Sequence, residues 1–345
     1  MFQRIALMGT GSLGTILGAF ISKAGFPIDL IDANPAHVAA LNEKGATVVG
    51  TVEMTVPVHA ITPDQMEGEY DLYIYMAKQT YNDSCLPQMK KHSHEGTIVV
   101  CCQNGLPEAA VCKYFDKSRV FGAPVGWGAT FKGPGVSEST TLRDAQCFTL
   151  GTVEGPVTPE LREVEKVLAA MCRVDLSDNL MGLRWAKLLI NAAFSGMSTV
   201  IGGTFGDVCD NPESLRIATH IGQECIRVCA ADGVAMVPFH GADGPLDFTQ
   251  IYDFKTAAEL RVAMDKVIEM NSVSRPLVAS MLQDLRRGLP CEVDAINGVV
   301  SETGDRVGID TPYNDRAIAV IKAKQAGELP VEGCILDGFP AEALK

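Results

Sequence analysis

The sequence predicts a two-domain α/β protein, a doubly wound parallel sheet followed by an all-helical domain. Three observations carry this. A short apolar run, Ile5 to Met8, ends in Gly9-Thr10-Gly11-Ser12-Leu13-Gly14 and leads into a segment whose apolar residues have helical spacing. Similar short runs recur through the first half, each closed by polar residues. From about residue 178 the strand signal disappears and the rest reads as helix, which sets the expected boundary at 1–177 and 178–345.

The first run suits a buried parallel strand. In the loop after it, one glycine permits the tight turn, the second lets a pyrophosphate approach the backbone, and the third lets helix and strand pack closely. The free amides and dipole at the helix start face anions. Gly9, Thr10, Gly11, Ser12, Leu13 and Gly14 are therefore candidate cofactor-binding residues of a Rossmann dinucleotide-binding domain. Pro27 to Asp32 reads as the second strand, with Asp32 at its end. An acid there accepts hydrogen bonds from ribose hydroxyls and repels a 2′-phosphate. No Lys or Arg follows until Lys44, so NAD(H) is favoured, with NADP(H) as the other choice.

The runs Leu72 to Met76 and Thr97 to Cys102 end in Ala77-Lys78-Gln79-Thr80 and Gln103-Asn104-Gly105. Ligands of open α/β sheets bind beyond the carboxyl ends of strands, so Lys78 and Asn104 point to the cofactor cleft. Residues 119–155 alternate apolar and polar, as antiparallel strands closing the sheet would. The last twenty residues, with Gly and Pro, read as a loosely docked tail.

Composition narrows the class. The chain has 345 residues, 47% hydrophobic and 21% charged, enough for two soluble cores. A net charge of −13 leaves no general basic surface, so neither nucleic acid nor membrane is an expected partner. The eleven cysteines form no C-x-x-C pair, which points to reduced thiols, a cytoplasmic setting and no metal site. The apolar N-terminus carries the strand-turn-helix glycine pattern rather than a signal peptide, and no apolar run is long enough to span a bilayer.

In the second half, Lys187, Asn191 and Ser195 follow one another at four-residue spacing, a polar lane on an otherwise apolar helix. Such residues are costly there unless they face a polar cleft. Partial desolvation disfavours the charged form of an amine, which suits it to give up a proton near neutral pH. Pro276 to Arg287 reads as a helix carrying Ser280 and Asp284, and Glu292 begins another.

Gly9-x-Gly11-x-x-Gly14, Gln103-Asn104-Gly105, Trp185-Ala-Lys187-x-x-x-Asn191, Ser280-Met-Leu-Gln-Asp284, Glu292-x-Asp294 and Gly308-Ile-Asp-Thr-Pro312, in this order over nearly the whole chain, resemble the ketopantoate reductase family. The resemblance implies a Rossmann domain and a helical domain, with a 2-oxo acid reduced at the cleft between them. It also implies roles. Lys187 protonates the carbonyl oxygen, and Asn191, Ser195 and Ser280 hold substrate. Asn104 and Glu292 position cofactor and substrate, Glu292 counting with Lys187 as catalytic, and Lys78 lies near the cofactor. A small-molecule 2-oxo acid is the expected partner, and a homodimer the expected assembly.

Two departures stand out. Asp32-Ala33-Asn34-Pro35 lacks the arginine usual for an NADP phosphate, and Ser195 replaces a usual asparagine, with shorter reach and fewer hydrogen-bonding groups. The substrate is therefore ketopantoate or, alternatively, a bulkier or aromatic 2-oxo acid of an NAD-dependent D-2-hydroxyacid dehydrogenase. A non-catalytic NAD sensor is the remaining reading; it would need the glycine loop but no proton donor.

Overall fold

The computed structural model describes residues 2–241 and 244–341. The chain divides into two units, one of Met1–Gln103 and Pro107–Leu180, the other of Asn104–Leu106 and Met181–Lys345.

The first unit runs β1 (Ile5–Met8), α1 (Ser12–Lys23), β2 (Ile28–Ile31), α2 (Pro35–Lys44), β3 (Ala46–Gly50), β4 (Met54–Val56), β5 (His59–Ile61), β6 (Tyr70–Tyr75), α3 (Asn82–Lys91), β7 (Ser93–Cys101), α4 (Glu108–Val111), β8 (Val120–Gly122), β9 (Ala129–Gly133), β10 (Val136–Ser139), β11 (Cys147–Thr152), α5 (Pro159–Leu168) and β12 (Arg173–Ser177). Its main sheet has the order β12-β11-β8-β7-β6-β1-β2-β5. The six strands from β5 to β8 pair in parallel. Numbered among themselves they follow the doubly wound order 3-2-1-4-5-6. The order reverses between β1 and β6, so the loops after these two strands flank the crevice where such sheets bind ligands.

Both faces of β1 are buried, which explains its unbroken apolar run. Ile5 and Leu7 join one core with Ile16, Leu17 and Leu30, while Ala6 and Met8 join another with Tyr73, Tyr75 and Met89. α1 is buried from Gly14 to Ile21. A Cβ at Gly18 would come within 2.5 Å of Leu30, so small size there sets the close approach of helix to sheet.

Residues 119–155 differ from expectation. β8 runs parallel to β7, and only β11 enters the main sheet antiparallel, beside β8. β9 and β10 instead build a second sheet of order β4-β3-β10-β9 on the other side of α1. Alternation defines a buried face of a strand but not the sheet it joins.

The second unit contains α6 (Leu180–Ile190), α7 (Gly196–Ile201), α8 (Phe205–Asp210), α9 (Pro212–Ala231), β13 (Phe239–Gly241), β14 (Gly244–Leu246), α10 (Phe248–Ile251), α11 (Ala257–Met270), α12 (Ser280–Arg286), α13 (Val299–Val307) and α14 (Pro312–Gln325). α9 is its centre. Pro212 at the first turn and the Asn211 side chain, accepting from the amides of Glu213 and Ser214, start it. Fourteen of its twenty residues are buried, Arg216, His220, Gln223 and Glu224 among them.

Two expectations here need correction. Helix α12 starts at Ser280, not Pro276; Val278 forms an isolated bridge with Thr204 instead. The described part of the tail is firmly held. Val331, Ile335, Leu336 and Phe339 pack on the helical core, and the buried Lys324 Nζ donates to the carbonyls of Val331 (2.9 Å) and Gly333 (2.6 Å). Arg216 donates to the Pro340 carbonyl and Arg316 to that of Asp337. Gly and Pro mark chain turns, but buried donors decide whether the turns dock. Among the described residues no helix is long and apolar enough to cross a membrane.

Candidate active site

Gly9 has φ +96°, and a Cβ there would lie 2.3 Å from the backbone nitrogen of Ala77. A Cβ on Gly14 would meet the Gly9 carbonyl at 2.4 Å. Gly11 is different: a Cβ there meets nothing within 4 Å. Two glycines are thus required by the fold itself, whereas the middle one leaves open space. α1 begins at that glycine with no side-chain cap and no acid in its first turn. Its first amides have no intrahelical acceptor, and the helix dipole adds positive potential there. This is a cradle for an anionic group such as a pyrophosphate.

Three side chains hold this loop: Thr10, an expected site residue, and Thr15 and His37, which the sequence reading missed. Thr10 Oγ1 donates to the Ile31 carbonyl (3.2 Å) and Thr15 Oγ1 to the Gly11 carbonyl (2.8 Å). The buried His37 accepts the Gly135 N–H at Nδ1 (2.9 Å), so its proton sits on Nε2 and is donated to the Thr10 carbonyl (2.7 Å). The only sequence signal for His37 was a histidine at a helix position that faces the loop.

Asp32 follows β2, and its Oδ1 accepts the Asn34 amide at 2.9 Å. Asn34 in turn caps α2. The carboxylate is oriented by local turn chemistry at the end of the strand. Lys78 follows β6 on a well-fixed peptide. The Ala77 amide donates to the Met8 carbonyl (2.9 Å), and its carbonyl accepts from Gln103 Nε2 (2.9 Å). The glycine loop, Asp32 and Lys78 thus all stand at carboxyl ends of neighbouring strands. Asn104 is half-buried just past β7, in the short segment that groups with the helical unit.

In that unit Lys187 and Asn191 lie four residues apart and are half-buried. The expected lane does not extend to Ser195. Asn191–Ser195 form a π turn between α6 and α7, which widens the repeat so that the buried Ser195 no longer follows at α-helical spacing. Nδ2 of Asn191 is buried without a hydrogen-bond partner among the described residues. Leaving such a donor unsatisfied costs about 1–3 kcal/mol. An amide kept in that state is suited to a ligand oxygen.

Ser280 opens α12 and is exposed, on a helix that packs against this π turn. Glu292 is buried just ahead of a second π turn, Asp294–Gly298. Asn297, in that second turn, donates through Nδ2 to the carbonyl of Ala192 in the first (3.1 Å). The elements carrying Asn191, Ser195, Ser280 and Glu292 are therefore neighbours within one unit.

A family model described as "Ketopantoate reductase PanE/ApbA" matches residues 5–154, and that of its C-terminal part matches residues 179–325. The chain belongs to the ketopantoate reductase family. The family is one of oxidoreductases with a nicotinamide dinucleotide cofactor. Over 333 residues the chain is 28% identical to the 2-dehydropantoate 2-reductase of Pyrococcus abyssi, covering 94% of this chain and 99% of the relative. It is 29% identical over 329 residues to that of Archaeoglobus fulgidus, with the same coverage. Among solved structures, D-mandelate dehydrogenase with NADH and anilino(oxo)acetate superposes with a TM-score of 0.79 at 20% identity. A ketopantoate reductase of Ralstonia eutropha gives 0.78 at 24%. Each pair covers 94% of this chain and 99% of the neighbour. At these identities the likeness concerns the fold.

Proposed function

We propose that this chain is a nicotinamide-dependent reductase of 2-oxo acids, taking ketopantoate to D-pantoate. The observation that carries the reading is the half-buried Lys187–Asn191 pair with the orphaned Asn191 amide. The pair sets a proton donor and a hydrogen-bond donor one helical turn apart, as reduction of a carbonyl requires.

When bound, the nicotinamide supplies a hydride to the carbonyl carbon of the substrate. Lys187 donates the proton to the carbonyl oxygen, and its charge stabilises the negative charge developing there. Asn191, Ser195 and Ser280 hold the substrate by hydrogen bonds, and Glu292 orients substrate and cofactor. The amides at Ser12 to Gly14 take the pyrophosphate into the space beside Gly11, with Lys78 and Asn104 as further contacts. Asp32 accepts from the ribose hydroxyls. With Ala33, Asn34 and Pro35 after it and no cation before Lys44, it favours NADH over NADPH. Residues 1–177 are the cofactor domain in this reading and 178–345 the substrate domain. Dimerisation through a second copy and a cytoplasmic setting belong to the same proposal.

Ser195 favours a second reading, an NAD-dependent D-2-hydroxyacid dehydrogenase for a bulkier side chain. A serine where the family usually has asparagine leaves more room and fewer hydrogen bonds to substrate. The test of both is Asn191→Ala. It raises KM for the 2-oxo acid at least tenfold while the Kd for NADH stays unchanged. An unchanged KM removes Asn191 from the substrate and the main support from the proposal.

A further inference from the structure

Asn191 and Ser195 stand on a π turn, and a π turn is an unstable choice for a buried segment. It breaks the regular helical ladder, and a carbonyl released inside a core needs another donor. The Ala192 carbonyl, second residue of the turn, accepts from Nδ2 of the fully buried Asn297 at 3.1 Å. The same Nδ2 donates to Asn314 Oδ1 at 2.9 Å, so both neighbours of this nitrogen are acceptors and the amide orientation is fixed. Asn314 is anchored in turn, its Nδ2 (2.8 Å) and its backbone amide (2.9 Å) donating to Glu224 Oε2. Oε1 of Glu224 accepts the Tyr313 amide at 2.9 Å. A continuous buried chain thus runs from the carboxylate at the centre of α9 to the backbone of the π turn.

Two further features tie this chain to the site. Asn297 itself sits in the second π turn, five residues after Glu292, so one side chain sets the register between the element carrying Asn191 and the element following Glu292. Gly196 closes the first turn, and a Cβ there would lie 3.0 Å from Asn297 Oδ1 and 3.1 Å from Nδ2. The glycine admits the amide.

We propose that Asn297 is a positioning residue for substrate binding, holding the π turn that carries Asn191 and Ser195 through its bond to the Ala192 carbonyl. This rests on the reading that Asn191 and Ser195 hold the 2-oxo acid. Asn297 touches no substrate itself; it acts through the turn.

The test compares Asn297→Asp, which keeps the shape but turns the donor into an acceptor, with Leu260→Ala, a core change in the separate cluster around Phe254. Steady-state kinetics with NADH and the best 2-oxo acid are measured beside amide hydrogen exchange. Asn297→Asp is expected to raise KM for the 2-oxo acid tenfold or more, to leave the Kd for NADH unchanged, and to speed exchange over residues 191–200. Leu260→Ala lowers Tm without moving KM. Should Asn297→Asp not fold, Gly196→Ala displaces the same amide and shifts KM and exchange in the same direction by less. A folded Asn297→Asp protein with unchanged KM overturns the proposal, whatever its Tm. Faster exchange over 191–200 with unchanged KM also overturns it, since the turn would then not matter to substrate. A wild-type protein that reduces no 2-oxo acid overturns the underlying functional reading, and is told apart because the exchange experiment still reports the Asn297 contact.

Discussion

The loop at Gly9–Gly14 takes its shape from backbone, with the Thr10, Thr15 and His37 side chains bonded to carbonyls of the loop and of β2. Its shape depends on a positive φ, on two places where no Cβ fits, and on carbonyls and amides of neighbouring strands. The turn at Asn191–Ser195 is held by side chains, through Asn297, Asn314 and a glutamate at the centre of α9. Under the proposed function the two devices serve different chemistry. A pyrophosphate is bound by amides that any sequence supplies once the glycines permit the turn. A reacting carbonyl needs a particular ammonium and particular amides in place, and these come only from side chains on a rigid support.

The sharpest test of this contrast is Lys187→Ala. A general acid contributes roughly 10²–10⁴-fold, so kcat is expected to fall by about 10³ while NADH still quenches or shifts fluorescence with the wild-type Kd. Equal loss of both would blur the division between units. Next comes Gly9→Ala, which forces a Cβ against the Ala77 backbone. The expected cost is at least about 2 kcal/mol, seen as a lower urea midpoint, with NADH binding lost. Gly11→Ala should separate binding from folding. With open space at that position, stability stays within about 0.5 kcal/mol of wild type, whereas calorimetry shows NADH bound at least tenfold more weakly.

The smallest effect concerns pH and probes the polar interior of the helical unit. His220 is stacked on Tyr313 with ring centroids 4.4 Å apart. Burial, and then the Arg216 charge, lower its pKa to about 4 from 6.5. Between these values the unfolded chain binds more protons, so the histidine's contribution is complete above pH 6.5 and lost as the pH falls towards 4. Burial raises Glu224 to about 7 from 4.5, with the opposite sign: its contribution grows as the pH falls from 7 to 4.5. The two slopes offset each other in the wild type. His220→Phe removes one of them, so its unfolding free energy should rise relative to that of the wild type as the pH falls from 6.5 to 4, by a difference on the order of 2 kcal/mol. Parallel curves would show that His220 titrates freely.

The same contrast governs what could be read from the sequence. The strands, the glycine loop and Asp32 were legible because each rests on local pattern: apolar runs, glycines at fixed spacing, an acid at a strand end. Lys187 and Asn191 were visible as polar residues in an apolar helix. The π turn was not. Asn-Ala-Ala-Phe-Ser is ordinary helical sequence, and the donor that stabilises the turn lies more than a hundred residues away in the chain. In α9, Arg216, His220 and Glu224 are buried: α14 and the tail supply hydrogen-bond partners for Arg216 and Glu224, and His220 stacks on Tyr313. The tail was misread for the same reason: besides its own apolar residues, its carbonyls are held by donors from elsewhere in the chain, Lys324, Arg216 and Arg316. The second sheet was missed because strand alternation does not name a partner.

The central claim, that this chain reduces a 2-oxo acid with NADH, is tested most directly by following NADH and NADPH oxidation in parallel with ketopantoate and a panel of other 2-oxo acids. The account predicts turnover with NADH, at a kcat/KM well above that with NADPH, and with one or more 2-oxo acids. Preference for NADPH would contradict the role given to Asp32. No turnover with any 2-oxo acid would contradict the account as a whole.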